Sequence, residues 1–429
     1  MAFIRPITKG QPSTKGQLTG WLWLLVCLLF TPWANAHSWP LQLKLNNNGQ
    51  LHQLQYQPHQ NNAELGLYKA QSGIELYLSG DWLVQTSQTV KAAMWQQLGV
   101  EHAKLLAQIG EQQIWLVQPV QAELWFNYTL PAEQFPWLLA YQPDFHAKAA
   151  KLQGSAMPDA KLASEQQAIL TQAYWQALQH QTSGQGAVIA LIDDAVNLTA
   201  KALAELQVQL YYDVDQKTTQ HTKPQTTPQN TQQAGSVTAV SHGDKMAALL
   251  FAQPYTENSV TSHSGLAPKA TAVILKQSLG WTSDIVLALH LAELAGADVI
   301  NCSWTLPFLS DLIAQKIDHL TKQPDGIAVV AAAGNHRQDV AESNPLAALP
   351  GVISVGLLDS RLQLLSNSGK VDIWVQGPLY LPDGTGISGS SAAAAVVSGV
   401  LALKRSLQPD LPITQLTGQL KTELTNRAQ

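Results

Sequence analysis

Four polar residues stand where apolar runs end or helices begin, and their types together could transfer an acyl group. Asp193 closes Ala187-Val188-Ile189-Ala190-Leu191-Ile192 and is followed by Asp194 and Ala195. His242 opens Ser241-His242-Gly243-Asp244-Lys245-Met246-Ala247-Ala248. Asn335 follows Ala328-Val329-Val330-Ala331-Ala332-Ala333-Gly334. Ser390 and Ser391 precede a run of small residues from Ala392 to Gly399. A neutral serine hydroxyl is a poor nucleophile and needs a base, and histidine titrates in the right range. A carboxylate fixes the tautomer of that base and stabilises the imidazolium. An asparagine amide beside a helix-terminal N–H can hold the oxyanion. By itself, a serine at a helix start is only an N-cap. The other three residues give it another meaning.

The elements that must position them read as an α/β fold. Continuous apolar runs mark strands buried on both faces. They occur at 187–192, 272–275, 299–300, 328–331 and 352–355. Helical patterns lie between them at Ser241 to Ala252, Ser283 to Ala295 and Leu309 to Leu320, and a last one runs from Lys421 to Ala428. Alternation of this kind predicts a parallel sheet with helices on both faces. Polar residues at the C-terminal ends of such strands line the ligand crevice.

Upstream the texture differs. Leu41 to Leu45, Leu51 to Tyr56, Ile74 to Leu78 and Gln113 to Val117 predict strands, the first two by clear alternation. Val90 to Leu98 predicts a helix among them. This is a small α+β domain at 37–147, with no catalytic constellation of its own. A linker follows at 148–183, with a predicted helix from Glu165 to Gln181, and the α/β domain occupies 184–429. Gln216 to Asn230 is rich in Thr, Gln and Pro and reads as a surface loop.

Residues 1–36 read as a cleaved signal peptide. Arg5, Lys9 and Lys15 lead, Trp21 to Phe30 is an apolar core too short to span a bilayer, and Ala34-Asn35-Ala36 is a small-x-small cleavage site. The expected location is therefore secreted or periplasmic, without a stable membrane anchor. With 45% hydrophobic and 13% charged residues the chain is no disordered polymer, and a net charge of −5 speaks against a nucleic-acid partner. Two cysteines, Cys27 and Cys302, are too few for a Cys/His metal site. Gly384-Thr385-Gly386-Ile387-Ser388-Gly389 fits G-x-G-x-x-G, but too little chain follows to complete a dinucleotide-binding unit.

From about Gly184 to Ala428 the chain resembles the subtilisin-like serine proteases, the subtilases of peptidase family S8. Seven segments carry the resemblance in family order. Ala190 to Val196 resembles A-V-I-D-T-G-V, His242 to Ala248 resembles H-G-T-H-V-A-G, and Gly265 to Ala270 resembles G-V-A-P-x-A. Gly296 to Ser303 resembles G-A-D-V-I-N-M-S, and Gly326 to Asn335 is similar to the oxyanion segment. Ser366 to Ile373 resembles S-N-Y-G…V-D-I, and Gly389 to Gly399 resembles G-T-S-M-A-T-P-H-V-A-G.

The register of Val397-Ser398-Gly399 places the family nucleophile at Ser391 and the preceding threonine at Ser390. The resemblance thus implies a secreted serine endopeptidase with an Asp193, His242, Ser391 triad and Asn335 in the oxyanion hole. It implies substrate-binding walls at Ser303, Trp304, Thr305 and Leu306 and at Ala332, Ala333 and Gly334. The substrate would be a peptide or protein. The 37–147 domain would be a propeptide acting as an intramolecular inhibitor, ending near Gln142-Pro143-Asp144-Phe145, which is similar to E-P-D-Y. No cofactor is implied with certainty; the family allows calcium, but no residue here locates it.

Several positions depart from the family. Asp194 and Ala195 replace Thr or Ser and Gly, Lys245 replaces a histidine, and Trp304-Thr305-Leu306 replaces L-G-G. A second carboxylate beside Asp193 is a like-charge cost unless paired. An ion pair of Lys245 with Asp194 or Asp244 would offset it. Thr305 and Leu306 are expected to narrow the pocket that the family's glycines leave open. These departures sustain an alternative reading, a catalytically weak or inactive subtilase fold used for binding or chaperoning.

Overall fold

The computed structural model describes residues 39–47, 49–58, 65–121, 125–126, 134–148, 167–219, 240–257 and 259–427. The signal segment, residues 149–166 of the linker and most of the Thr/Gln/Pro-rich segment lie outside the described residues. Residues 38–429 form one unit, with two large sheets and two short hairpins among the described residues.

The first sheet is antiparallel and has seven strands. They are β1 (Gln42–Asn47), β2 (Gln50–Tyr56), β3 (Gly66–Ala70), β4 (Glu75–Thr86), β5 (Val100–Ile109), β6 (Gln112–Pro119) and β7 (Leu138–Lys148), with helix α1 (Ala92–Gln97) before β5. The long strand β4 pairs with β3 and β6 and, along its other edge, with β7. Aromatic rings fill one layer beneath it: Trp95 meets Trp115 and Trp137 edge-on at 5.5 and 5.4 Å between centroids.

The second sheet has nine strands in the order β11-β10-β14-β9-β15-β16-β17-β18-β8. Along the chain come β8 (Ile169–Leu170), α2 (Gln172–Gln179), β9 (Val188–Asp193), β10 (Val208–Asp213), β11 (Thr218–Thr219) and α3 (His242–Phe251). A short hairpin, β12 (Thr256–Glu257) and β13 (Val260–Thr261), leads to β14 (Thr271–Lys276), α4 (Thr282–Leu294), β15 (Val299–Cys302), α5 (Asp311–Lys322) and β16 (Ala328–Ala332). Two short helices, α6 (Val340–Ser343) and α7 (Pro345–Ala348), precede β17 (Val352–Leu358) and β18 (Ile373–Gln376). After the β19 (Leu379–Tyr380) and β20 (Gly386–Ile387) hairpin come α8 (Ser390–Leu407) and α9 (Ile413–Arg427). All pairings along this sheet are parallel except β10 with β11.

The apolar runs read from sequence are the central strands, and side chains on their two faces enter two separate cores. The predicted helix from Glu165 to Gln181 is shorter. It starts at Gln172, because Ile169 and the fully buried Leu170 extend alongside Trp374 and Val375 at the sheet edge. Helix α8 is buried on almost every side from Ala392 to Lys404, which its small residues permit, and it packs on α3, β15, β16 and β17.

The antiparallel sheet lies against α4 and α5. Asp144 accepts hydrogen bonds from Ser283 N–H at 2.9 Å and Ser283 Oγ at 2.8 Å, in the first turn of α4. Burial pushes its carboxyl up to about 7. Ser310 caps α5 and donates to Gln142 Oε1 at 2.9 Å. Lys316, fully buried, donates to the carbonyl of Gln108 on β5 at 2.7 Å and pairs with Glu293.

Candidate active site

Strand β9 ends on Asp193, which is 4% exposed. Its Oδ1 accepts from His242 Nδ1 at 2.7 Å and from the Asp194 N–H at 2.8 Å. A carboxylate can only accept, so Nδ1 carries the proton and Nε2 is left as the base nitrogen. Asp193 Oδ2 is buried and finds no donor among the described residues. Asp194, when ionised, has no proton to offer it.

His242 is the first residue of α3, and the capping box ahead of it does the positioning. Ser241 Oγ accepts from Asp244 N–H at 2.9 Å, and Asp244 Oδ2 accepts from Ser241 N–H at 3.0 Å. The same two side chains reach back to the chain after Asp193. Asp244 Oδ1 accepts from Asn197 N–H at 2.7 Å, and Ser241 Oγ donates to Ala195 O at 2.6 Å. Gly243 lets the helix press on that segment, since a Cβ there would stand 2.2 Å from Asp194 O. The loop from Asp194 to Asn197 and the start of α3 are thus one clamped piece.

The expected ion pair of Lys245 does not form: among the described residues Lys245 makes none with Asp194 or Asp244. Asp244 is committed to backbone N–H groups instead. The bond from Asp193 raises the pKa of His242, burial opposes it, and Asp194 adds to the rise while Lys245 subtracts. Burial also raises the pKa of Asp193, and the bonds from His242 and the Asp194 N–H oppose this only in part.

Helix α8 carries Ser391 into the same crevice. Ser391 Oγ donates to Ser303 O at 2.8 Å, and Ser303 Oγ donates to Ser391 O at 2.8 Å. Behind them Asn301 Nδ2 donates to Ser303 Oγ at 2.8 Å, and Ser398 Oγ donates to Asn301 Oδ1 at 3.0 Å. Asn301 and Ser398 are wholly buried, so this chain of amide and hydroxyl groups fixes α8 on β15. No hydrogen bond joins Ser391 Oγ to His242 among the described residues.

Asn335 is exposed, and its Oδ1 accepts from Ser390 N–H at 2.8 Å and Ser390 Oγ at 3.0 Å. This turns its amide Nδ2 into the free donor. Ser390 Oγ also accepts from Gly334 N–H at 2.9 Å, so Ser390, with Gly389 at the N-cap, supports Asn335 rather than capping the helix. Gly334 has φ +103°, and a Cβ there would meet Asn367 Nδ2 at 2.4 Å.

Of the wall residues, Trp304 donates from Nε1 to Ile192 O at 2.8 Å, Thr305 is exposed and Leu306 is buried. Ala332 and Ala333 are buried on the facing segment. Asn301, Ser398 and Asn367 lie within the family-like segments, but nothing in the sequence assigns them a role, and Asn344 lies outside those segments. Asn344 and Asn367 are both fully buried. Asn367 Oδ1 accepts from His336 and Gln338 N–H at 2.9 and 3.1 Å and so shapes the loop that carries Asn335. A polar residue inside a buried apolar strand, as at Asn301, was the available signal.

Among the described residues no group of three or more His, Cys, Asp or Glu side chains is placed to hold a metal. The close pair Asp213 and Asp215 is engaged by Lys276 Nζ at 3.1 and 2.9 Å.

A parallel α/β sheet with an Asp–His pair, a helix-borne serine and an asparagine amide at its strand ends defines a serine-hydrolase class of protein. The subtilase family model matches residues 184–429, more than half of the chain. Subtilisin DY of Bacillus licheniformis is 31% identical over 200 residues, covering 43% of this chain and 70% of the relative. Among solved structures, a protease of Pseudoalteromonas arctica is similar with a TM-score of 0.44 and 23% identity, over 57% of this chain and 85% of that one. MycP1 with its N-terminal propeptide removed has a TM-score of 0.42 and 22% identity, over 57% and 86%. The chain belongs to the subtilase family, peptidase S8, and is a subtilisin-like serine endopeptidase.

Proposed function

We propose that the protein hydrolyses peptide bonds through an acyl-enzyme at Ser391. Ser391 Oγ leaves Ser303 O, gives its proton to His242 Nε2 and attacks the scissile carbonyl carbon. Asp193 stabilises the imidazolium through Nδ1. The oxyanion takes hydrogen bonds from Asn335 Nδ2 and the Ser391 N–H, one of the free donors at the start of α8. His242 then protonates the leaving amine, and water, deprotonated by His242, releases the acyl group. The observation that carries this reading is the His242 Nδ1 to Asp193 Oδ1 bond of 2.7 Å. Treatment of the processed protein with a fluorophosphonate is expected to label Ser391, with Ser391→Ala as the blank. Absence of labelling sinks the reading.

The antiparallel sheet acts in this proposal as an intramolecular inhibitor, and the leader at 1–36 directs secretion. Self-cleavage then falls between 148 and 183. If Ser391→Ala matures to the same size as the parent, another protease makes the cut. The second reading, an inactive binding fold, draws on the unpaired Asp193 Oδ2 and on Ser391 Oγ facing Ser303 O. The same labelling experiment separates the two.

A further inference from the structure

The segments that follow β15 and β16 are the two that the family resemblance makes substrate-binding walls, with the acyl-side residue between them. One wall runs from Ser303, bonded to the nucleophile, to Leu306. The other runs from Ala332 to Asn335, which holds the oxyanion in the proposed reaction. Two features fix how far apart they stand.

The first is a buried staple. Asn344, fully buried, accepts from Leu306 N–H at 2.9 Å with Oδ1 and donates to Ala332 O at 2.7 Å with Nδ2. One amide side chain therefore spans the two walls. Spreading them would leave buried backbone and amide groups unpaired.

The second is Thr305. A Cβ built on Gly334 would lie 3.5 Å from Thr305 Cγ2. Thr305 Cγ2 is then no more than about 5 Å from Gly334 Cα, given a carbon–carbon bond of about 1.5 Å. A ring or branched chain lying between two walls needs van der Waals contact on both sides, about 7 Å in all. The threonine methyl occupies that space, and a β-branched side chain has little χ1 freedom with which to leave it.

We propose that this subsite accepts only glycine, alanine or serine on the acyl side of the scissile bond, and that Thr305 is the residue that sets the limit. The proposal rests on the protease reading above. It makes the substrate class a protein or peptide cut after small residues.

The test uses the processed enzyme and a peptide series that differs only in the acyl-side residue: Gly, Ala, Ser, Leu and Phe. The expected kcat/KM for Ala exceeds that for Phe by about 100-fold or more. Thr305→Ala removes the methyl at an exposed position and is expected to shrink the ratio at least about tenfold by a gain on Phe. Thr305→Val keeps a methyl over Gly334 and is expected to keep the restriction, which separates size from loss of the hydroxyl. Equal or better cleavage after Leu or Phe by the parent enzyme overturns the proposal and leaves the protease reading intact. So does a Thr305→Ala ratio that stays at the parental value. No cleavage of any peptide together with no labelling of Ser391 sinks both.

Discussion

The two halves of the active site are built differently. On the serine side the supporting polar groups form two hydrogen-bonded runs, from Ser398 through Asn301 and Ser303 to Ser391, and from Gly334 through Ser390 to Asn335 Oδ1. On the histidine side, among the described residues, Asp193 keeps one buried oxygen without a donor, and Asp194 and Lys245 do not pair with each other. What holds that side is side chain to backbone: Ser241 and Asp244 in the capping box, their two bonds to the loop beyond Asp193, and the close approach that the bare Cα of Gly243 allows. The serine side thus rests on a chain of buried side chains bonded to one another, while the histidine side rests on side chains bonded to backbone and is open to electrostatic tuning.

The sharpest break of this contrast is at the reacting groups. Asp193→Asn keeps the shape but strips the charge, and kcat is expected to fall by about 10⁴-fold, with Ser391→Ala falling by about 10⁶-fold. Steady-state kinetics on a peptide cut after alanine measures both. If Asp193→Asn loses less than tenfold, His242 is not working through Asp193.

Next comes Asn335→Ala. It removes one oxyanion donor and should lower kcat by about 10²- to 10³-fold with little change in KM. A change confined to KM would mean that Asn335 binds substrate without meeting the oxyanion.

Asn301→Ala leaves the Ser303 and Ser398 hydroxyls buried without this partner. The expected loss is about 1–3 kcal/mol of stability, read by chemical denaturation in the Ser391→Ala background. The comparison on the other side is Asp194→Asn, whose side chain accepts no hydrogen bond among the described residues, and it should leave stability nearly unchanged. Similar losses from both would erase the distinction between the halves.

The smallest effects are pH shifts. His242 must be neutral to act as base, so kcat/KM rises as pH passes its pKa. Because the bond to Asp193 raises that pKa, the acid limb should lie on the alkaline side of the ordinary histidine value. Asp194→Asn removes a charge that raises it and should move the limb to lower pH. Lys245→Gln removes a charge that lowers it and should move the limb to higher pH. If both variants move the limb the same way, the tuning account fails.

Much of the central sheet was legible because strands covered on both faces are written as unbroken apolar runs. Strand β10 was not, since Val208-Gln209-Leu210-Tyr211-Tyr212 mixes exposed and buried positions near the sheet edge. Strand β8 was hidden by its length, two residues among glutamines. At the site, the motifs placed the polar residues at strand and helix ends. The pairing proposed for Lys245 failed on a signal that was present: Ser241-His242-Gly243-Asp244 has capping-box spacing, which commits Asp244 to the backbone. Asn344 had no such mark, because its role exists only once β15 and β16 are side by side.

Strand β7 passes Trp281, just before α4, at His146 and ends at Lys148, whereas the next described strand, β8, lies at the far edge of the parallel sheet. Six strand spacings separate β14, which leads into α4, from β8, or about 29 Å. While the chain is whole, that tether keeps the antiparallel sheet near its helices at a local concentration on the order of millimolar. A cut within the tether changes none of the contacts made by Asp144, Gln142 or Lys316, yet it turns them into an association between two molecules. Dilution alone then becomes a force for release.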